Sequence, residues 1–350
     1  MNDPLKILPR NILILCPNWV GDVVMATPTF DCLRQNFPEA KITGLIRPYA
    51  KGVIEDGPWF DRLVNCNDKT VSGFLKLIAT IRSLRPDLTI VLPNSFRSAM
   101  IARLGGSKHI YGYHREGRSI FLSGGPRPKR NNHDIVPVAM RDYYLEICRW
   151  LQLKIPETTR PRLFLSDALS AKGAKLLKHY GITPNDMVIG LNPGAKFGSS
   201  KCWPPHYFAG LAELLAARWN CKLLLFVGPG EEDLGRAIVE TSRAPIIDTG
   251  PDRVDLALLK PLIQRCQLLV TNDTGPRHYA VALKVPVIVI MGPTDPRYTD
   301  TNLEKTLVLR QELDCSPCHE KTCSLNHECM VGIRPEDVLK GSEKLLKEIA

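Results

Sequence analysis

The sequence predicts an α/β protein made of two doubly wound parallel-sheet domains that face each other across a cleft. Its 350 residues suffice for two cores of ordinary size. Short apolar runs alternate with amphipathic stretches, as in a parallel sheet covered by helices. Residues 156–167 carry two prolines and no periodicity, and the alternation restarts after them. We therefore predict a linker there and two domains, 1–160 and 161–350.

The first half contains five predicted strands and at least one clear helix between them. The stretch GFLKLIATIRSL (73–84) repeats its apolar residues every three or four positions, which predicts a helix. The predicted strands are NILIL (11–15), KITGLI (41–46), RLVN (62–65), DLTIVL (87–92) and KHIYGY (108–113).

The second half repeats this order, with glycine-containing turns after several strands. Strands are predicted in MVIGLNPG (187–194), CKLLLFVGPG (221–230), APIIDTG (244–250), QLLVTNDTG (267–275) and VPVIVI (285–290). Helices are predicted at 204–219, 231–242, 255–266, from 276 and at 334–350. In such sheets ligands bind beyond the carboxyl ends of the strands, at helix N-termini.

The charge composition indicates which kinds of partner the protein binds. Lys and Arg exceed Asp and Glu by 46 to 36, which favours anionic partners such as phosphorylated sugars or a membrane headgroup surface. Apart from a modest cluster at 125–133 the basic residues are scattered, so nucleic acid is disfavoured. The apolar runs are too short for a membrane span, and the N-terminus lacks a signal-peptide layout. We expect a cytoplasmic protein.

The first candidate site is the junction NWVGDVVM, where an apolar strand meets a helix. Gly21 and Asp22 lie at this junction, facing the predicted cleft. An acid here is compatible with a helix cap that accepts backbone N–H groups, and equally with a carboxylate presented to substrate. From the junction alone both interpretations stay open.

The second candidate is the loop NPGAKFGSSKCWPP, between a strand and a helix opened by proline. Lys196 and Lys201 stand in this loop, and exposed backbone N–H groups with a lysine suit a phosphate. The spacing is not that of a Walker A loop. The alternative is an ordinary surface loop with solvated lysines.

The third candidate, VTNDTGPRHYAVAL, ends a strand in Asn-Asp-Thr-Gly and begins a helix. Gly275 allows close backbone approach, and the helix N-terminus favours a negative group. Thr274 can donate to a phosphate oxygen, Asp273 can orient its neighbours, and His278 lies in the first turn. A helix cap explains the Asp and Thr, but it explains the whole Asp-Thr-Gly-Pro-x-His combination less readily, so we favour a ligand site.

Two further features carry weaker signals. Glu231 and Glu232 follow a strand and a flexible loop, where a carboxylate often holds ribose hydroxyls, although first-turn acids also complement the helix dipole. Near the C-terminus, Cys-x2-Cys-x4-Cys-x5-Cys with two histidines is compact enough for zinc or an iron–sulfur cluster, but matches no common finger. A structural metal and a local thiol cluster both stay open for Cys315, Cys318, Cys323, Cys329, His319 and His327.

Taken together, three motifs give the chain a family resemblance. NWVGDVVMATP, the PGA…K-x-WP segment and NDTGP-x-H occur in the order seen in the ADP-heptose:lipopolysaccharide heptosyltransferase family (glycosyltransferase family 9), and resemble most its heptosyltransferase II type. The resemblance implies a GT-B fold, with an acceptor-binding first domain and an ADP-sugar-binding second domain. It also allows the last helix to cross back to the first domain.

The resemblance also implies roles for individual residues. Asp22 matches the general base and Lys201 the lysine on the donor diphosphate. Gly194 and Ala195 lie in a turn that meets the phosphates, where relatives with hydroxyl side chains form bonds that these two cannot. The ADP motif corresponds to Asp273, Thr274, Gly275 and His278, and the ribose-binding acid to either Glu231 or Glu232.

The implied reaction is an inverting transfer of L-glycero-D-manno-heptose from ADP-heptose to the lipid A-core oligosaccharide. It needs one base near the acceptor hydroxyl and stabilisation of the leaving diphosphate, without a metal or other cofactor. We expect peripheral attachment to the inner face of the cytoplasmic membrane. Candidate acceptor residues are Asn18, Trp19 and Gly21, with Arg97, Arg115, Arg118 and Lys129 as possible contacts. The alternatives are another nucleotide-sugar or acceptor, or an inactive nucleotide-sugar-binding protein.

Overall fold

The computed structural model describes residues 8–132 and 134–349. The chain divides into two compact units. The first extends to Phe164 and includes Arg297–Thr299, and the second comprises Leu165–Pro296 and the chain from Asp300 onward.

The first unit is built on a five-stranded parallel sheet. Its strands are β1 (Asn11–Leu15), β2 (Lys41–Ile46), β3 (Arg62–Asn65), β4 (Leu88–Val91) and β5 (His109–Gly112). They lie in the order β3-β2-β1-β4-β5, and Leu13 of the central strand pairs with Thr43 on one side and Thr89 on the other. Because both faces are covered, β1 and β4 are almost entirely buried and apolar.

Six helices belong to this unit: α1 (Val20–Met25), α2 (Thr27–Asn36), α3 (Lys51–Ile54), α4 (Val71–Leu84), α5 (Phe96–Leu104) and α6 (Met140–Trp150). Helix α4 begins two residues before the predicted start, because the Thr70 side chain caps it by accepting from Gly73 N at 3.1 Å. Helix α6 packs against α1 and α2. Two short antiparallel strands of two residues each, β6 (Arg130–Asn131) and β7 (Asp134–Ile135), precede α6. His133, which ends the basic cluster, lies outside the described residues.

The second unit is built on a six-stranded parallel sheet. Its strands are β8 (Val188–Asn192), β9 (Lys222–Leu225), β10 (Ile246–Asp248), β11 (Leu268–Asn272), β12 (Val287–Ile290) and β13 (Thr306–Leu309), in the order β10-β9-β8-β11-β12-β13. Its helices are α7 (Asp167–His179), α8 (Pro205–Trp219), α9 (Glu232–Thr241), α10 (Leu259–Arg265), α11 (Gly275–Leu283), α12 (Glu328–Val331) and α13 (Pro335–Ile349). Helix α13 packs on α8 and β13.

Both sheets have a point where the strand order reverses, and this positions the candidate sites. The reversal lies between β1 and β4 in the first unit and between β8 and β11 in the second. Ligands bind at the carboxyl edge of such points. The residues that follow these strands include Asp22, Asn94, Gly194 and Asp273.

The predicted α/β class with two doubly wound parallel sheets is confirmed, and all ten predicted strands form. The prediction missed β13, a half-buried strand of four residues at the sheet edge, whose sequence is too short to carry a periodic signal. It also missed α6, which carries two of the tyrosines described below. Among the helices of the described chain, none combines the length and apolar character that crossing a bilayer requires.

Candidate active site

Asp22 lies in the first turn of α1 and is held by a tyrosine from another helix. Trp19 occupies the N-cap position, so Asp22 is the third helical residue rather than the cap. Tyr144 on α6 donates its hydroxyl to Asp22 Oδ1 at 2.9 Å. Burial, together with the nearby Asp22 charge, raises the pKa of Tyr144 well above its ordinary value. The hydroxyl therefore stays protonated and orients the carboxylate.

The tyrosine next to it belongs to a separate network. Tyr143 stacks on Tyr113, with ring centroids 3.8 Å apart, and donates to Asn94 Oδ1 at 2.9 Å. Arg118 donates to Asn94 Oδ1 as well and is fully enclosed, with further bonds to the carbonyl oxygens of Pro93 and Tyr113. Arg118 thus organises the loops after β4 and β5 and is not available to an acceptor.

The predicted acceptor residues lie beside a buried ion-pair cluster. Asn18 accepts from Arg47 Nε at 3.0 Å, and Arg47 also pairs with the buried Asp68. Arg97 contacts the other Asp68 oxygen at 3.0 Å. Burial alone would raise the pKa of Asp68, but Arg47 and Arg97 bring it below its ordinary value. Trp19 keeps 55% of its surface exposed.

In the second unit, four side chains converge at the carboxyl end of β11. Asp273 is buried, and its Oδ1 accepts from Arg277 at 2.7 Å. Its Oδ2 accepts from Lys201 Nζ at 2.8 Å and from Thr294 Oγ1 at 2.6 Å. Lys201 also donates to the Asp273 carbonyl oxygen at 2.9 Å. Two cations thus share the Asp273 carboxylate at this strand end.

The electrostatics of this centre fix two protonation states. Burial would raise the pKa of Asp273, but Arg277, Lys201 and the hydrogen bonds of Lys201 and Thr294 hold it far below its ordinary value. Burial and the Arg277 charge lower the pKa of His278 to about 3, although Asp273 opposes the shift. Asp273 is therefore ionised and His278 neutral at physiological pH.

The start of α11 leaves groups for a ligand. Thr274 is the N-cap but makes no side-chain capping bond with any of the described residues. Gly275 is the first helical residue, and its N–H is one of the groups that a helix leaves without an intrahelical partner at its start. Pro276 has no N–H, and Arg277 N donates to Thr274 O at 3.2 Å. A phosphate placed there meets the Gly275 N–H, the positive end of the helix dipole and the neighbouring Lys201.

The two candidate ribose-binding acids, Glu231 and Glu232, lie in different surroundings. Glu231 lies against the turn after β8: a Cβ added at Gly194 would lie 2.0 Å from Glu231 Oε2. The same oxygen accepts from Gly228 N at 3.0 Å, and burial raises the pKa of this carboxyl. Glu232 begins α9 and faces solvent. Glu231 can therefore occupy this position only because residue 194 is a glycine. Glu232 does not lie against this turn.

The cysteine-rich segment 315–329 braces both loops that reach Asp273. On the Lys201 side, Ser200 N donates to Lys321 O at 3.1 Å, and His327 Nε2 lies 2.7 Å from Ser200 O. Because a carbonyl oxygen only accepts, His327 is the donor. On the Thr294 side, Ser316 Oγ donates to Gly292 O at 2.8 Å.

The cysteines of this segment surround a cavity of about 100 Å³, which Ser200 and His327 also line. Burial, with the three other thiols nearby, raises the pKa of Cys329 to about 11, so this thiol is neutral. The segment's other cysteines are Cys315, Cys318 and Cys323, and all four are free thiols. Within residues 8–132 and 134–349, no three His, Cys, Asp or Glu side chains are arranged to hold a metal ion.

Several residues of these sites were not found from the sequence. Arg277 lies inside the third motif. Its place between the candidates Gly275 and His278 is the only signal in the sequence that could have suggested a role. Tyr144 and Thr294 are far in sequence from the acids that they contact, and no local pattern marks them. Lys196, by contrast, was a candidate and is exposed to solvent at the loop surface.

Comparison with a family model and comparison with individual relatives point to the same family. Residues 74–328 match glycosyltransferase family 9 (heptosyltransferase). The lipooligosaccharide heptosyltransferase 2 of Haemophilus influenzae is 29% identical, over 96% of this chain and 99% of the relative. The lipopolysaccharide heptosyltransferase 2 of Escherichia coli is 25% identical, over 96% and 98%.

Solved structures agree with this assignment. The structure of E. coli ADP-heptose LPS heptosyltransferase II superposes with a TM-score of 0.80 at 26% identity, covering 97% of this chain and all of the other. A family 9 glycosyltransferase from Veillonella parvula gives a TM-score of 0.84 at 23% identity, covering 99% of both chains, and supports the fold. Both comparisons extend over the two units.

We predict that Asp273→Asn destabilises the protein by about 3–5 kcal/mol at pH 7, because it leaves Arg277 and Lys201 without their shared anion. Since the folded pKa of Asp273 is depressed, its contribution is complete above the unfolded value of about 3.9 and is lost as the pH falls through the lower folded value. Urea unfolding at pH 7 and below pH 4 measures both effects. The exposed Asp233→Asn is the control, and equal stability of Asp273→Asn and wild type at pH 7 would contradict the prediction.

Proposed function

The chain belongs to glycosyltransferase family 9, and from this membership we propose that it transfers L-glycero-D-manno-heptose from ADP-heptose to the inner core of lipopolysaccharide. The near full-length similarity to relatives named heptosyltransferase 2 supports this donor and acceptor. The observation that carries the chemistry is the pair of prepared groups: an oriented carboxylate in one unit and a two-cation centre in the other.

In the proposed reaction Asp22 is the general base. The acceptor hydroxyl oxygen bonds to the anomeric carbon of the heptose, its proton passes to the Asp22 carboxylate, and ADP leaves with the bonding electrons of the broken C–O bond. The attack from the opposite face inverts the configuration. Tyr144 donates to Oδ1 and orients the carboxylate that takes the acceptor proton. A carboxylate suffices as base because the transition state has oxocarbenium character.

The donor diphosphate is proposed to lie at the start of α11. Lys201, the Gly275 N–H and the Thr274 hydroxyl stabilise the charge that develops on the leaving group. Neutral His278 adds a hydrogen bond without further charge. Asp273 does not contact the phosphates in this proposal, because its carboxylate oxygens already hold Arg277, Lys201 and Thr294.

The remaining assignments complete the donor and acceptor sites. Glu231, beside the turn of Gly194 and Ala195, is proposed to accept from the ribose hydroxyls in preference to exposed Glu232. We assign donor binding to the second unit and acceptor binding to the first, where Asn18, Trp19 and Gly21 precede the base. No cofactor is proposed besides the donor, and the protein is proposed to act in the cytoplasm at the inner membrane surface.

We predict that the purified protein releases ADP from ADP-heptose only when a heptose-bearing lipid A core acceptor is present, as measured by mass spectrometry. Asp22→Asn should bind ADP as the wild type does but lose transfer by at least about a hundredfold, because the base is removed. Equal turnover of UDP- or GDP-sugars would favour a family member with another donor. Absence of any turnover would favour an inactive nucleotide-sugar-binding protein.

Tyr144→Phe should lower kcat by about tenfold and leave the KM for ADP-heptose unchanged, because only the bond that orients Asp22 is lost. Tyr143→Phe is the matched control: it is the adjacent residue on α6 and removes a bond to Asn94 instead. Steady-state kinetics with both variants test this role. Equal effects of the two substitutions would show a general loss of packing.

The brace on Lys201 predicts a graded effect at His327. His327→Asn is too short to reach Ser200 O and should weaken ADP binding by about fivefold, whereas His327→Gln can still donate and should restore most of it. Both replacements avoid a β-branched side chain at this left-handed position, where φ is 61°. Isothermal titration with ADP measures the effect. In a Lys201→Met background, His327→Asn should add nothing; an additive loss would contradict positioning through Lys201.

A further inference from the structure

The basic surplus of the chain is concentrated in one segment of the first unit. From Lys69 to Arg130 there are twelve Lys or Arg residues against two acidic residues, a surplus of ten that equals the formal charge of the whole chain, +10. This segment contains α4, β4, α5, β5 and the loop that follows. The remainder of the chain therefore carries equal numbers of basic and acidic residues, and the net positive charge comes from this segment.

Large apolar side chains are exposed in the same segment. Val71 and Ile120 keep 78% and 76% of their surface exposed, and Leu75 and Phe96 keep 59% and 43%. Val71 and Leu75 lie one turn apart at the start of α4, so they point to the same side of that helix. Side chains of this size are usually buried, and several together mark an interaction surface.

The elements that carry these apolar residues are joined by contacts. Helix α4 packs on α5, and α5 packs on the 3-10 turn that carries Ile120. The guanidinium of Arg97 lies 4.9 Å from the Phe74 ring centroid, which joins the starts of α4 and α5. Phe96 and Phe121 meet edge to face at 4.9 Å, which joins α5 to the turn.

Exposed cations lie on the same elements and on the loop after β5. Lys69 and Lys76 flank Val71 and Leu75 on the chain, and both are exposed. Arg127 and Lys129 are exposed in the loop after β5, which His114 N ties to the sheet edge by donating to Pro126 O at 3.0 Å. The arrangement is an apolar centre with a cationic border, which complements an anionic lipid surface in both chemistry and charge.

We propose that the surface of Val71, Leu75, Phe96 and Ile120 with its basic border, which we call the docking face, binds an anionic phospholipid bilayer. Three of the four apolar side chains are aliphatic, which suits insertion among acyl chains and not stacking on the bases of a nucleic acid. Helices α4 and α5 begin at the carboxyl edge of the sheet, the edge at which α1 begins and carries Asp22. The proposal rests on the proposed function, in which the acceptor is a membrane glycolipid.

Vesicle flotation tests the binding. The wild-type protein should float with vesicles of phosphatidylcholine containing about 30% phosphatidylglycerol, bind pure phosphatidylcholine vesicles at least about tenfold more weakly, and lose binding as salt rises. Val71→Ser/Leu75→Ser/Ile120→Ser should weaken partition into the anionic vesicles by at least about tenfold. Leu325→Ser is the control, since Leu325 is 61% exposed in the second unit.

Two outcomes of this assay would overturn the docking face: an effect of the control equal to that of the triple variant, or unchanged partition of the triple variant. Tighter binding of the wild type to a single-stranded RNA oligomer than to anionic vesicles, lost in the triple variant, would assign the surface to nucleic acid and also overturn it.

Transfer assays separate this inference from the proposed function. With a deacylated, water-soluble core oligosaccharide, the triple variant should match the wild type in kcat/KM. With the same core on lipid A in anionic vesicles, it should fall by at least about tenfold. Loss with both acceptors would place these residues in the acceptor site or the fold and overturn the docking face. If the wild type transfers to neither acceptor yet floats with anionic vesicles, the proposed function fails and the docking face stands.

Discussion

The buried carboxylate of Asp273 is the interaction on which the second unit's site depends. An isolated carboxylate in this position would be expensive, and the protein compensates with Arg277, Lys201 and Thr294. The consequence is functional as well as structural. Lys201 arrives on a loop after β8 and Thr294 on a loop after β12, so one acid fixes groups from three strand ends. Lys201, the cation that we propose for the donor diphosphate, is thereby held in place by the protein itself.

The first unit contains two acids, Asp22 and Asp68, in different electrostatic surroundings. Asp22 is partly exposed, and the neutral Tyr144 hydroxyl orients its carboxylate. Nearby Asp68 is buried, and Arg47 and Arg97 neutralise it. Asp273 is likewise buried and paired with cations. These surroundings give Asp68 and Asp273 a structural role and support the separate role that we propose for Asp22.

The sequence predicted the strands and the acids at their ends, because both signals are local. A buried strand, a glycine turn and a helix start lie within about a dozen residues, and Asp22 and Asp273 stand out there. The residues that contact and brace the site side chains are brought there by tertiary packing, which a local pattern does not reveal. Tyr144 lies 122 positions from Asp22, and Ser200 is 127 positions from His327. Arg118 shows the converse limit: it was a reasonable acceptor contact by charge, and its complete burial could not be read from its neighbours.

Parallel topology connects these observations. Every β-strand of the first sheet points the same way, so the residues after β1, β3, β4 and β5 all gather at one edge. That edge carries the Asp22 carboxylate, the starts of α4 and α5, and the basic loop after β5. An acceptor anchored in a bilayer can reach only groups near the surface that touches the lipid. With base and docking face on one edge, a lipid-bound orientation brings the acceptor to Asp22 without a separate docking domain. In this proposal, the concentration of positive charge in this unit serves the location of the acceptor rather than the chemistry of transfer.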